Sequence, residues 1–166
     1  MRLVALNRRN VEEQINKNLK AILVDVKQYD TKVGIIGGTV NTDAEAKYKK
    51  PQEVDVAYYA AENEFGVYSK GIPSRPFLRT TFEGERREKI SRKAQSILKE
   101  CAENNRNTLG YLTKLGLYAA GEVRANITQG DFEGNSEITI LRKGSSRPLI
   151  DTGTMRRYVT AWVTKA

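Results

Sequence analysis

The sequence predicts a single α+β domain spanning residues 1–166. Three observations carry that expectation. Apolar residues recur at three- and four-residue steps along several stretches, short runs alternate with period two, and glycine and proline punctuate the joints between them. A chain of 166 residues can bury roughly 70% of the surface its unfolded form exposes. With 39% hydrophobic against 29% charged residues and a mean hydropathy of -0.56, it reads as a globular chain rather than a disordered or membrane one.

Val11, Ile15 and Leu19 keep helical spacing, which predicts a first helix over about residues 9–20 with Asn10 as its cap. The period then changes. Val24, Val26 and Gln28 alternate with charged residues, Tyr29-Asp30-Thr31 offers a turn, and Val33 to Ile36 leads into Gly37-Gly38, so two short strands joined by a tight turn are expected. Residues 39–53 are polar and read as a mobile excursion.

Residues 54–65 return to helical spacing through Val54, Ala57, Tyr58, Ala60, Ala61 and Phe65, and Gly66 stands where helices end. Pro73 and Pro76 lack an N–H and push their predecessors toward extended geometry, so residues 72–76 predict a rigid connector. From Pro76 a long amphipathic helix is expected, interrupted near Gly84, with Phe77, Phe82, Ile90, Ala94, Ile97, Leu98 and Cys101 on its inner face. After a break at 104–107, Leu109, Leu112, Gly116, Ala119, Val123 and Ile127 predict another helix. Its small residues Gly116, Ala119, Ala120 and Gly121 point to close contact with a neighbouring element. Residues 130–135 read as a loop, 136–142 as helix or strand, 145–153 as irregular, and the alternation over 158–164 as a closing strand anchored by Trp162.

Composition narrows the chemistry. The chain has no histidine and one cysteine, Cys101, which removes internal disulfides, Ser-His-Asp and Cys-His machinery, and histidine-based metal sites. Carboxylate, lysine, tyrosine or phosphate-loop chemistry remains. Gly34, Gly37 and Gly38 follow a strand-like run, but their spacing fits neither a dinucleotide fingerprint nor a Walker loop and reads as a strand end. Asp55 and Glu62 share a helix face while Glu64 points elsewhere, a weak signal for an acid/base or metal pair. Cys101, on an apolar stripe, reads as a small buried hydrophobe. No catalytic, cofactor or metal residue is assigned. The longest apolar runs are too short for a membrane span, and residues 1–10 hold too little apolar core for a signal peptide, so an intracellular product is expected.

Twenty-eight basic and 20 acidic residues give a net charge of +8. Residues 1–83 carry +2 and residues 84–166 carry +6. Arg142, Lys143, Arg147, Arg156 and Arg157 concentrate in the last 25 residues against Asp151 alone, a basic surface suited to an anionic partner.

Two segments bear a family resemblance. Residues 57–77, A-Y-Y-A-A-E-N-E-F-G-V-Y-S-K-G-I-P-S-R-P-F, resemble the helix, Glu-Phe-Gly and Ile-Pro-x-Arg-Pro-Phe pattern of the neck and tail-completion (virion morphogenesis) proteins of tailed bacteriophages and prophages. Residues 142–153, R-K-G-S-S-R-P-L-I-D-T-G, with Met155-Arg156 after them, are similar to that family's ending, and Gly121 to Arg124 and Ile127 to Phe132 resemble it between. The likeness covers about residue 54 to the C-terminus; residues 1–53 match only in general helix-hairpin form. It implies long helices packed on a small antiparallel sheet, no catalysis and no cofactor. It also implies a ring-forming homo-oligomer at the head-tail junction or tail end, made in the bacterial cytoplasm and found in the virion, contacting other head, neck or tail subunits. Glu64, Phe65, Arg75, Phe77, Asp151 and Met155 are the partner-interface residues expected on this likeness. The alternative is a basic nucleic-acid-binding module that uses the C-terminal Arg/Lys cluster for phosphates and Tyr158 or Trp162 for stacking.

Overall fold

The computed structural model describes residues 2–38, 55–104 and 107–166. The polar excursion expected over 39–53 lies outside them. Six α-helices and a two-stranded antiparallel sheet make an α+β arrangement among the described residues, as expected.

The first helix, α1 (Arg2–Val26), is longer at both ends than its expected span, and Asn10 lies within it rather than at a cap. Residues 24–26 are helical, not extended. The alternation there loses to the helical stripe because Val26, with Ile15, Leu19 and the fully buried Ile22, packs beside Leu98, Cys101 and Ala102, while Val24 faces solvent. The early hairpin is therefore not formed. Strand β1 (Tyr29–Ile35) pairs instead with β2 (Val159–Lys165) at the far end of the chain, from Tyr29 opposite Lys165 to Ile35 opposite Val159.

Helix α2 (Val56–Phe65) starts at Asp55, whose side chain accepts the Ala57 N–H at 2.8 Å. It stops at Gly66, where φ is +77° and a Cβ would lie 2.8 Å from the Ser74 backbone nitrogen. Only glycine fits that position. The helix expected from Pro76 divides into a 3-10 turn (Arg79–Phe82) and α3 (Gly84–Glu103). Glu83 is extended and Gly84 has φ +51°, so the apolar face is not continuous across the joint. Phe77 is consequently buried whereas Phe82 is exposed.

Helix α4 (Thr108–Gln129) crosses the sheet and stacks on α3. Its contact with the sheet is closest at Gly116, where a Cβ would come within 2.9 Å of the Ala161 Cβ and the Thr31 Cγ2. Ala119 and Ala120 are buried as well, but Gly121 has open space around it and is not part of that contact. The undecided segment is helical: α5 (Glu137–Lys143) is capped by Ser136 and ended by left-handed Gly144. A short α6 (Thr154–Tyr158) precedes β2.

Val159 and Ala161 face the main core with Val56, Ala60, Phe77, Ala120, Val123, Ile127, Leu149 and Met155. By strand alternation Trp162 lies on the opposite face, half-buried, with its ring 3.9 Å from a Cβ position on Gly34. Its ring lies over a strand glycine, on the side of the sheet away from the main core.

Candidate functional site

The irregular backbone of the Gly66–Phe77 connector and of residues 130–135 and 145–153 carries N–H and C=O groups that no helix or sheet ladder satisfies. Side chains of Asn63, Glu64, Ser74, Arg75, Asn135 and Lys143 meet this demand. The Glu64 carboxylate accepts the backbone N–H groups of Leu78 at 2.7 Å and Arg79 at 3.0 Å, and the Glu64 carbonyl accepts the Ser74 hydroxyl at 2.9 Å. Arg75 is tied at its own N–H to the Asn63 carbonyl at 2.6 Å. Its guanidinium donates to the carbonyls of Glu133 at 2.7 Å and Gly134 at 2.9 Å, and to the amide oxygens of Asn63 and Asn135, each at 3.2 Å. Asn135 passes the connection on by donating to the Arg147 carbonyl at 3.1 Å, and Lys143 donates to the carbonyls of Arg147 and Pro148. Residues far apart in sequence are thus joined by one polar chain, Asn63–Arg75–Asn135–Arg147–Lys143.

That chain borders a cleft of about 1070 Å³ whose walls include Glu62, Arg75, Asn135, Arg142, Asp151 and Met155. Tyr59 also lines it. Burial, with the negative charge of Asp151 and then Tyr158, pushes the Tyr59 hydroxyl up to about 12, so it stays protonated near neutrality. Burial lowers the Arg75 guanidinium from its ordinary value, with Glu133 opposing the shift.

The expected interface set divides. Glu64 is 4% exposed, Arg75 5%, Phe77 0% and Met155 4%, so these four are interior groups and not a partner surface. Backbone satisfaction holds Glu64 and Arg75 inside; Phe77 and Met155 belong to the apolar core. Phe65 and Asp151 are exposed. The basic residues divide between two recesses. Arg142 and Lys143 line the large cleft, and Arg147 is exposed beside it. Arg156 and Arg157 line a second recess together with Arg124.

The carboxylates considered as a pair have separate partners. Asp55 caps α2 and accepts the Gly38 N–H at 2.6 Å, Glu62 is ion-paired with Lys70, and Glu64 is internal. Among the described residues no group of three His, Cys, Asp or Glu side chains could hold a metal ion, and no helix is long and apolar enough to cross a membrane. Cys101 is buried, and desolvation raises its thiol above the ordinary value.

One residue that sequence reasoning passed over is Asn126. Buried within α4, it donates to the Phe77 carbonyl at 2.8 Å and to the hydroxyls of Thr80 and Thr81 at 2.8 and 3.1 Å, clamping the turn that follows Pro76. Its signal was a polar amide set between Val123 and Ile127 on the apolar face. Comparison of the chain with protein-family models, curated proteins and solved structures finds no match.

Proposed function

We propose that this chain is a non-enzymatic structural subunit of a tailed phage or prophage, acting in virion assembly at the head-tail junction or tail end. In this reading it assembles in the host cytoplasm, joins copies of itself in a ring, and contacts neighbouring head, neck or tail subunits within the virion. The phage setting rests on the sequence resemblance. The observation that carries an assembly role is the outer face of α5, where Ile138 is 79% and Leu141 83% exposed while Ser136 and Gly144 pin the helix ends. Rigid presentation of apolar side chains lowers the ordering cost of association, and burying them in a neighbour is favourable. Phe65, at the end of α2, and Tyr68 just beyond it add exposed aromatic surface.

Sedimentation and negative-stain imaging over a range of concentrations test the reading. Rings that are lost in an Ile138→Asp, Leu141→Asp protein of unchanged melting temperature are the expected result. Rings that persist in that variant would remove α5 as the interface. A wild-type protein that stays monomeric even with virion components present would remove the assembly role.

A further inference from the structure

We propose that the open recess between the last turns of α4 and α6 is a phosphate-binding site, and that a nucleic-acid backbone supplies the phosphate. The recess has a volume of about 630 Å³ and is lined by Arg124, Ala125, Thr128, Gln129, Arg156 and Arg157, three guanidinium groups with no carboxylate among the lining residues. Arg124 and Arg156 come from different helices. Arg124 is fixed at one nitrogen, which donates to the carbonyl of buried Val159 at 2.6 Å. Thr128 spends its hydroxyl proton on the Arg124 carbonyl at 3.0 Å, so its oxygen accepts from Arg156 at 3.4 Å. Arg157 sits at the margin, oriented toward the Thr152 carbonyl and the Thr154 hydroxyl.

A guanidinium has five N–H donors, and among the described residues Arg124 and Arg156 each place a single hydrogen bond on the protein. Their remaining donors, beside the third guanidinium of Arg157, call for an anion with many acceptor oxygens. A carboxylate offers two oxygens in one plane, whereas the additional oxygens of a phosphate let it bridge two differently oriented forks at once. The recess is a shallow groove rather than an enclosed pocket, which suits a group carried on a polymer passing across it. The site draws Arg156 and Arg157 from the C-terminal basic cluster and adds Arg124 from α4, which the charge count did not indicate. It also stands apart from the α5 face that carries the assembly reading.

The test is fluorescence anisotropy with two duplexes of unrelated sequence at several salt concentrations, using the full chain. Wild type is expected to bind both alike, with affinity falling steeply as salt rises. Arg124→Gln with Arg156→Gln should weaken binding about tenfold or more and lower the salt slope by about two. Arg156→Gln alone should lower it by about one, which keeps the test valid if removing the Arg124 bond to Val159 harms folding. Pyrophosphate should displace the duplex from wild type, and Lys17→Gln with Lys20→Gln on α1 should leave both affinity and slope near wild type. Unchanged binding in both arginine variants, an equal loss in the α1 control, or equal affinity for polyglutamate would overturn the site. Pyrophosphate binding without duplex binding would overturn the nucleic-acid source. Ring formation by the arginine variants, scored separately, distinguishes failure here from failure of the assembly reading.

Discussion

The layer made by α1 and α3 and the region where α2, its connector and α6 meet solve the same problem differently. In the first, the backbone is helical and satisfies itself except at the helix ends, so a thin apolar seam around Ile22, Cys101 and Ala102 suffices. The charged side chains there remain outside in pairs such as Lys89–Glu85 and Lys99–Glu103, and one part-buried amide, Asn18, donates to the Ala102 carbonyl near the end of α3 at 2.9 Å. In the second, prolines and glycines break the ladders, and buried polar groups must replace them: Glu64 for two N–H groups, Arg75 for two carbonyls, Asn126 for a third. The larger apolar core lies under this network. Charged side chains buried in a small protein can therefore be a consequence of irregular backbone, with no binding role required.

Variants can break this contrast, and the largest effect belongs to the apolar core. Phe77→Ala should cost about 3–5 kcal/mol in urea unfolding, and Ile22→Ala about 2–5. A Phe77 variant with near wild-type stability would show that the main core is not the dominant one. Next come the buried polar groups. Glu64→Ala and Arg75→Ala should each cost about 1–3 kcal/mol by stranding backbone groups, with Glu64→Gln recovering part of the loss through its one remaining acceptor. If Arg75→Ala melts like wild type, its hydrogen bonds are replaceable by water and the contrast between the regions weakens. Trp162→Ala should cost about 1–2 kcal/mol, below a fully buried tryptophan, because the residue is only partly buried.

Two smaller effects sharpen the distinction electrostatically. Asp55 lies below the ordinary carboxylate range because the N–H groups of Gly38 and Ala57 hold its charged form. A lowered folded value means a contribution to stability that is complete above the unfolded value near 3.9 and lost as pH falls through the folded one. The stability gap between wild type and Asp55→Ala should accordingly be flat from about pH 5 to 7 and narrow below about pH 4. Glu85 is lowered by Lys89 and Glu100 by Lys114. Carboxylate titration by NMR in about 1 M salt should move Glu85 and Glu100 toward ordinary values and leave Asp55 largely unmoved. The smallest effect is at Lys99→Ala, where an exposed i,i+4 pair should change stability by no more than about 0.5 kcal/mol.

The sequence by itself determined the class of fold, the place of α2 and α4, the stop at Gly66, the close approach at Gly116 and the closing strand. Each follows from local periodicity or from a backbone conformation that one residue type alone tolerates. It also determined that histidine chemistry and a disulfide within these 166 residues are excluded, since composition needs no geometry. Tertiary structure decided the rest. The partner of β1 is β2 because Val26 is worth more on the α1 stripe than in a neighbouring strand, a choice made only once α3 is there to receive it. Exposure of Phe82 follows from the turn at Gly84, and the sides of the sheet from α4 lying across one of them. Glu64 and Arg75 read as surface charges along the chain, and became internal because the carbonyl and N–H groups they satisfy belong to loops distant in sequence. Periodicity reports which residues avoid water together, but it does not record which backbone groups will be left unpaired or where their partners will come from.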